Sequence, residues 1–462
     1  MKKTGIAIII DKLQSTARDN SIGGYIMSTL KRAFQIPELR KKLLFTFFML
    51  TILAVASLIP CPGMDVAAFR NTVKGWGDIG NLMGILSGKG IYNASIISLS
   101  VYPYLIGMII VQILSAAIPA LRNMSAQSEA VQRKITKWTR MAAMIAGFVF
   151  SVLMVTGSLK ALSPKINFWL AMIISILGFT IGSALVSWVC ELISSKGLGN
   201  GFSVVIFAAI CRNIPHVLKS IYMQSEAKLG LVWAIVFTVL AVILGAAALI
   251  FCVYVQTAER RIKIMFNKRS IGMRQYMGQN TSLPIKITLA GILPIIYAMM
   301  ILTTPALIIA FYNSGSENGF VRGFVNFRMS PAYLILYAFF TIILSSAFAI
   351  MQFNPNEIAN ELRNNSGYIA GVKPGKPTSQ FLTKMFANMN YAGAVYLLII
   401  CLVPMLVSIV PQIRGFWYAG IAMVILSTVV VEMITLLDNG IKEEDDKKKN
   451  SKPVKNVKAF KQ

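Results

Sequence analysis

Apolar runs of about 18 to 27 residues recur along the whole of this 462-residue chain, and their length decides what it can become. At 1.5 Å per helical residue, each run reaches across a hydrocarbon layer roughly 30 Å thick. In lipid, every backbone N–H and C=O must find its partner inside the segment, which leaves the helix as the spanning form. The composition agrees: 56% of residues are hydrophobic and only 14% charged, where a soluble domain carries about a quarter. The expected fold is an all-α polytopic membrane protein.

In order, the runs predict ten transmembrane helices near 43–60, 95–118, 141–159, 168–190, 202–218, 231–255, 285–311, 331–351, 392–412 and 416–437. The fifth run, FSVVIFAAIC, meets Arg212 after ten residues and Pro215 soon afterwards, yet omitting it would put later basic loops on the wrong side. With ten spans, 34 of the 45 Lys and Arg residues fall on the side of the termini and 11 on the other. By the positive-inside rule both termini are expected in the cytoplasm. The stretch IAIII in residues 1–28 is too short to span and has no small-residue cleavage site, so this part reads as a cytoplasmic extension. Residues 441–462 are charged and nearly free of apolar side chains, which predicts a disordered basic tail able to meet anionic lipid or RNA.

Ten spans divide into halves of five, 29–229 and 230–440. A duplication of an odd number of spans must be inverted in the membrane. The second span of each half carries a proline, Pro103 in VYPYL and Pro294 in AGILPII, and interrupted spans at matching places point to a conducted path.

Enzymatic chemistry lacks raw material. GILSGK (84–89) and GVKPGK (371–376) have the wrong glycine spacing for a phosphate loop, and no HExxH occurs. Cys61, Cys190, Cys211, Cys252 and Cys401 show no metal or redox spacing, and His216 is the single histidine. No enzyme activity, metal or cofactor is expected. A coupled solute transporter usually holds ionisable groups at mid-membrane. Here Glu191, Lys286 and Glu432 lie near span ends, and Gln112, deep in span two, reads as an interhelical hydrogen-bonding group. A conduit without a coupling ion fits better.

Two loops on the side of the termini, 256–284 and 352–385, are long, basic and broken by Gly and Pro, as a structured docking platform would be. On the other side, residues 62–94 hold Ile79, Leu82, Met83, Ile85 and Leu86 at helical spacing. That face belongs either to a helix packed outside the bundle or to one folded into a channel mouth.

Five motifs, IPCPGMD (59–65), KGLGNGFS (196–203), YMGQNTSLPIK (276–286), AGILP (290–294) and NPNEIANELRNNSGYIAGVKPGKPT (354–378), together with the ten-span layout, resemble the SecY family of protein-translocon pore subunits. The resemblance covers about residues 29–440. It implies two inverted five-helix halves closing like a clamshell around a central pore, with spans two and three facing seven and eight across a sideways opening to lipid. Its aliphatic pore ring falls on Val101, Leu105, Ile206, Ile210, Ile296 and Ile425, and its plug on a helix near 78–92. Its basic positions for docking the ribosome or the SecA motor fall on Lys268, Arg269, Arg274 and Lys373. Lys373 stands where the family's PGIRPG has arginine, and Met273 where a second basic residue is common; lysine keeps the charge but loses the bidentate fork. The resemblance further implies SecE and SecG subunits, signal peptides and nascent chains as clients, and contacts with SecDF and YidC. The function it implies is passage of unfolded secretory proteins and lateral release of apolar segments into the bilayer. An accessory paralogue for specialised substrates and, further off, a secondary solute transporter are the alternatives.

Overall fold

The structure is a computed structural model that describes residues 22–76, 78–117, 129–266, 269–271, 274–276, 281–288, 291–312, 331–352, 355–364, 367–407 and 419–450. The extension up to residue 21, Lys268, Met273 and the tail beyond Asn450 lie outside the described residues.

An amphipathic helix α1 (Ile22–Gln35) leads into α2 (Pro37–Ala56), followed by two short helices, α3 (Val66–Gly75) and α4 (Asp78–Leu86). Then come α5 (Tyr102–Ala117), α6 (Glu129–Gly157), α7 (Phe168–Lys196), α8 (Gly201–Leu229) and α9 (Leu231–Thr257). After strands β1 (Glu259–Phe266), β2 (Arg269–Ile271), β3 (Arg274–Tyr276) and β4 (Thr281–Lys286) the chain continues through α10 (Leu293–Tyr312), α11 (Pro331–Gln352) and α12 (Pro355–Asn364). It ends with β5 (Gly367–Ile369), α13 (Lys376–Val407) and α14 (Ala419–Asn450).

A helix lies on each of the ten expected spans: α2, α5 to α11, α13 and α14. Seven are long and apolar enough to cross a membrane by themselves, and α5 and α10 are shorter apolar helices. The tenth, α2, begins with a proline in its first turn, where the missing N–H costs no bond, and carries Arg40, Lys41 and Lys42 before its apolar stretch.

Three local outcomes differ from the sequence reading. The fifth span does not stop near 218. It runs to Leu229 with Arg212 and Pro215 inside, and one residue, Gly230 at φ 84, joins it to α9. Only glycine reaches that left-handed conformation without strain, so the two halves meet at a single sharp joint. Second, Pro103 and Pro294 do not interrupt helices. Each is the second residue of its helix, where proline's fixed φ and absent donor are tolerated. Each helix is preceded by non-helical chain with a left-handed residue three positions before the proline, Ser100 (φ 48) and Gly291 (φ 64). Spans two and seven are therefore short helices entered from turns. Because they are second and seventh in an up-and-down series, they run in opposite directions, the mark of an inverted pair. Third, α14 continues to Asn450, so the first part of the expected disordered tail is helical.

The described strands all lie in the two long loops. In the larger sheet β1 is central, paired antiparallel with β4 (Glu259 opposite Lys286) and with β5 (Ile264 opposite Ile369), so the platform joins both loops. Strands β2 and β3 form a separate hairpin. Ile262, Ile285 and Ile369 cover Leu382, Met385 and Phe386 of α13 and Ala349 of α11, which seats the sheet on the helices beneath. On the same side, Ala33 of α1, Leu39 of α2 and Leu437 of α14 pack around Leu198, bringing the described ends of the chain together.

Candidate functional site

Four helices drawn from both halves converge on one small cavity. Leu105 of α5, Ile206 and Ile210 of α8, Ile296 of α10 and Ile425 of α14 line it. Met299, Met300, Ile421 and Ala422 complete the wall. Val101 is fully buried one residue before α5 but is not part of that lining; its carbonyl accepts the Leu105 amide at 3.0 Å. The short helices explain the convergence: α5 and α10 begin part-way along the path, so residues near both starts reach the same level.

On the side away from the termini the cavity is stoppered by α4. Leu82, Ile85 and Leu86 of that helix face into it. Helix α4 thus lies against the cavity and packs on α8 and α10. It is shorter than the expected 78–92, ending at Leu86 and followed by a turn and a separate short helix at Gly90–Asn93. About 20 Å³ remain between stopper and wall, room for one water at most, and no lining side chain carries a hydrogen-bonding group. A site of that kind stays dry. Burying Leu82 and Leu86 stabilises the stoppered arrangement by about 1.5–3 kcal/mol each, enough to close it and little enough to reverse.

Toward the termini, the next turns of α14 open into a larger cavity of about 280 Å³. Thr428, Glu432 and Thr435 line it with Gln256 and Lys286. Glu432 Oε1 accepts the Asn200 amide at 3.2 Å, tying α14 to the start of α8. The larger cavity also has Leu397, Val424, Val431 and Leu436 in its wall, is lined by second-half residues alone, and shares only α14 with the collar.

Both ends of α4 are tethered. Just before it, the buried Trp76 packs edge-on against Phe69 (ring centroids 6.0 Å) and against Phe311 of α10 (4.7 Å). Just after it, Arg212 of α8 donates to the Ser87 carbonyl, and burial together with Lys219 holds the neighbouring Lys89 ammonium below the usual lysine range.

The two halves also meet along a seam formed by α5 and α6 against α10. Tyr102 Oη lies 2.8 Å from Thr304 Oγ1; since the threonine donates to the Met300 carbonyl, the tyrosine is the donor across the seam. Farther along, the Tyr297 hydroxyl points toward Gln112, and neither Gln112 Oε1 nor Tyr297 Oη has a hydrogen-bond partner of good geometry among the described residues. At Gly157 a Cβ would stand 1.7 Å from the Phe311 carbonyl oxygen, so the backbones of α6 and α10 touch there.

The expected docking residues are spread over the platform. Arg269 and Arg274 lie on the β2–β3 hairpin, paired in register with Tyr276 and Ile271, and Lys268 lies outside the described residues. Lys373 is exposed in the turn after β5, between Gly371 (φ 83) and Gly375 (φ 98), where its carbonyl accepts the Thr378 hydroxyl at 2.8 Å. Sequence reasoning missed Met299, Met300 and Ile421 in the wall, because an apolar residue in an apolar span gives no signal of its own. It noticed Arg212 only as an interruption.

A family profile described as SecY matches residues 95–434. A protein translocase subunit SecY from Streptomyces scabiei is 31% identical over 437 residues, covering 91% of this chain and 99% of that one. Among solved structures, a SecY protein whose plug domain stabilises the closed channel aligns with a TM-score of 0.61 at 16% identity, covering 92% of this chain and 99% of the other. Sec61 in a canine ribosome–channel complex aligns with a TM-score of 0.56 at 15% identity, with the same coverage. The structural matches agree with the ten-helix fold, and the profile and the sequence match over nearly the full length place the chain itself: it belongs to the SecY family.

Proposed function

We infer that this chain is the protein-conducting channel subunit of a Sec translocase, passing unfolded secretory chains through the collar and releasing apolar segments sideways through the seam. One observation carries the reading: aliphatic side chains from both halves meet in a dry constriction stoppered by a short helix. An aliphatic collar offers a moving polypeptide no fixed hydrogen bonds, and it makes ion passage costly by excluding water. The collar is thus the pore ring and α4 the plug. Both termini then lie in the cytoplasm and the plug faces outward, a reading that the Lys and Arg distribution supports. The collar has no group to hold a coupling ion, so the channel is passive and the driving force comes from a motor or from translation. The test is reconstitution: with a SecA-type motor, proteoliposomes holding this chain and its small subunits import a signal-bearing precursor, and failure with a functional motor overturns the reading.

Small helical subunits of the SecE and SecG kind are expected partners. Helix α9 has the most apolar span, yet only 6% of that stretch is buried, against 33–44% for the other long spans. A tilted SecE-like helix laid along the α8–α9 joint would cover it. A photo-crosslinking residue at Val239, which is exposed on α9, should capture a small membrane subunit in native membranes. Capture of lipid alone would remove this partner assignment.

The ribosome or a SecA motor docks on the platform formed by loops 256–284 and 352–385. Arg274→Glu combined with Lys373→Glu should impair motor-driven or ribosome-coupled export while leaving the protein folded and inserted. Each exposed contact contributes only about 0–1 kcal/mol, so single changes should be mild. Normal export by the double variant would remove the docking role.

A further inference from the structure

Arg212 is the only charged residue in the stretch of α8 from Gly201 to Leu218, and a cation there is retained only where it has partners. Its partners are neutral. Nη1 donates to Ser57 Oγ at 2.8 Å, at the residue that caps the end of α2, and Nη2 donates to the Ser87 carbonyl at 2.8 Å, one residue beyond the end of α4. Among the described residues no carboxylate lies within ion-pair distance. The Ser87 carbonyl also accepts the Gly90 amide at 3.1 Å, and the guanidinium takes its second lone pair at the end of a helix that carries the negative dipole, where a cation is favoured. Gly88 makes the approach possible: at φ 52 it has no side chain, and a Cβ would fall 2.4 Å from Nη2. The same α8 contributes Ile206 and Ile210 to the collar.

We propose that Arg212 is the positioning residue that latches the stopper helix shut, tying the end of α4 to α2 and α8 through the Ser87 carbonyl and the Ser57 hydroxyl. Apolar contacts of Leu82 and Leu86 can slide, whereas two charge-assisted hydrogen bonds fix a direction and a register. Opening the channel therefore requires this clasp to release.

The proposal rests on the reading of α4 as a plug, and the experiment separates the two. Leu86→Cys, shielded at the collar, reports stopper release by its labelling with a membrane-impermeant maleimide, measured over the background of the five native cysteines. Arg212→Met should raise the labelling rate at least about tenfold and raise resting ion conductance, Ser57→Ala should give a smaller rise, and Arg212→Lys should restore most of the protection. An unchanged rate in Arg212→Met overturns the latch. Should that variant fail to accumulate, Gly88→Ala, which pushes the guanidinium aside without altering it, decides with Ser57→Ala: a rise in both supports the latch and no change in either overturns it. Ile206→Asn run in parallel distinguishes the failures. A leak there with silent latch variants removes only the latch, and silence in all of them removes the plug and pore reading as well.

Discussion

Replacing Ile206 by Asn should raise the resting ion conductance of the reconstituted channel in planar bilayers by about ten- to a hundredfold. Ile206 is almost fully buried and lines the cavity between collar and stopper, where no neighbour offers a hydrogen bond. An amide in such a site costs about 1–3 kcal/mol unless it draws in water. Drawing in water is the easier outcome, because the cavity beside Ile206 already has room for about one water once a polar partner is there to hold it. Each 1.4 kcal/mol taken from the barrier to a hydrated ion is about a tenfold rise in rate, hence the range. Stability should fall by no more than the lost aliphatic burial, about 1.5–3 kcal/mol, so the variant still folds. Export of precursors with defective signal sequences should rise in parallel, since a weakened closed state shifts the closed-to-open balance. Ile425→Asn should behave the same way, because α14 brings it to the same cavity. Unchanged conductance and unchanged signal stringency in both, with normal expression, would show that these are packing residues and that the pore lies elsewhere.

How much of this was legible beforehand depends on the kind of signal. Membrane spans announce themselves through length and hydropathy, so all ten positions could be read from the chain, including the one that Arg212 made doubtful. Helix ends were less legible. Nothing local tells a reader that α8 continues past Pro215 to a single glycine, because a proline inside a span is tolerated wherever neighbours re-satisfy the freed carbonyl. Pro103 and Pro294 were noticed as a matched pair but assigned the wrong local role. They start helices, and the breaks lie in the residues before them, where Ser100 and Gly291 take up left-handed backbone. The strands of the platform went unread because β5 has three residues and finds its partner β1 a hundred residues away. All six collar positions came from family resemblance, and five of them meet in one cavity; from composition alone each was one apolar residue among many. The two tethers of α4 could not be foreseen at all, since a tryptophan before a helix and an arginine in another acquire meaning only when the fold brings them to its ends.

Gly157→Val should hold the seam between the halves partly open. A Cβ at this position would stand 1.7 Å from the Phe311 carbonyl oxygen, while ordinary contact begins near 3.4 Å, so α6 and α10 must part by nearly 2 Å at that end. Overpacking of this kind costs about 1–3 kcal/mol, and here the cost falls on the closed state alone, because an opened seam already separates the two backbones. A bias of that size shifts the closed-to-open equilibrium by about 5- to 150-fold. Phe311 also packs on Trp76, just before the stopper helix, so the displacement should reach α4 as well as lipid. Two measurements follow: resting conductance should rise, and the emission of Trp76, taken as the difference from a Trp76→Phe background, should shift to the red as the buried ring loses its partner. The clash is with a backbone oxygen, so truncating the partner side chain with Phe311→Ala should not rescue Gly157→Val. Gly157→Ala should show the same changes in weaker form, having one methyl to place. Rescue by Phe311→Ala would locate the clash in side chains, and a Gly157→Val channel that closes as tightly as the parent would show that the two backbones do not meet at the seam.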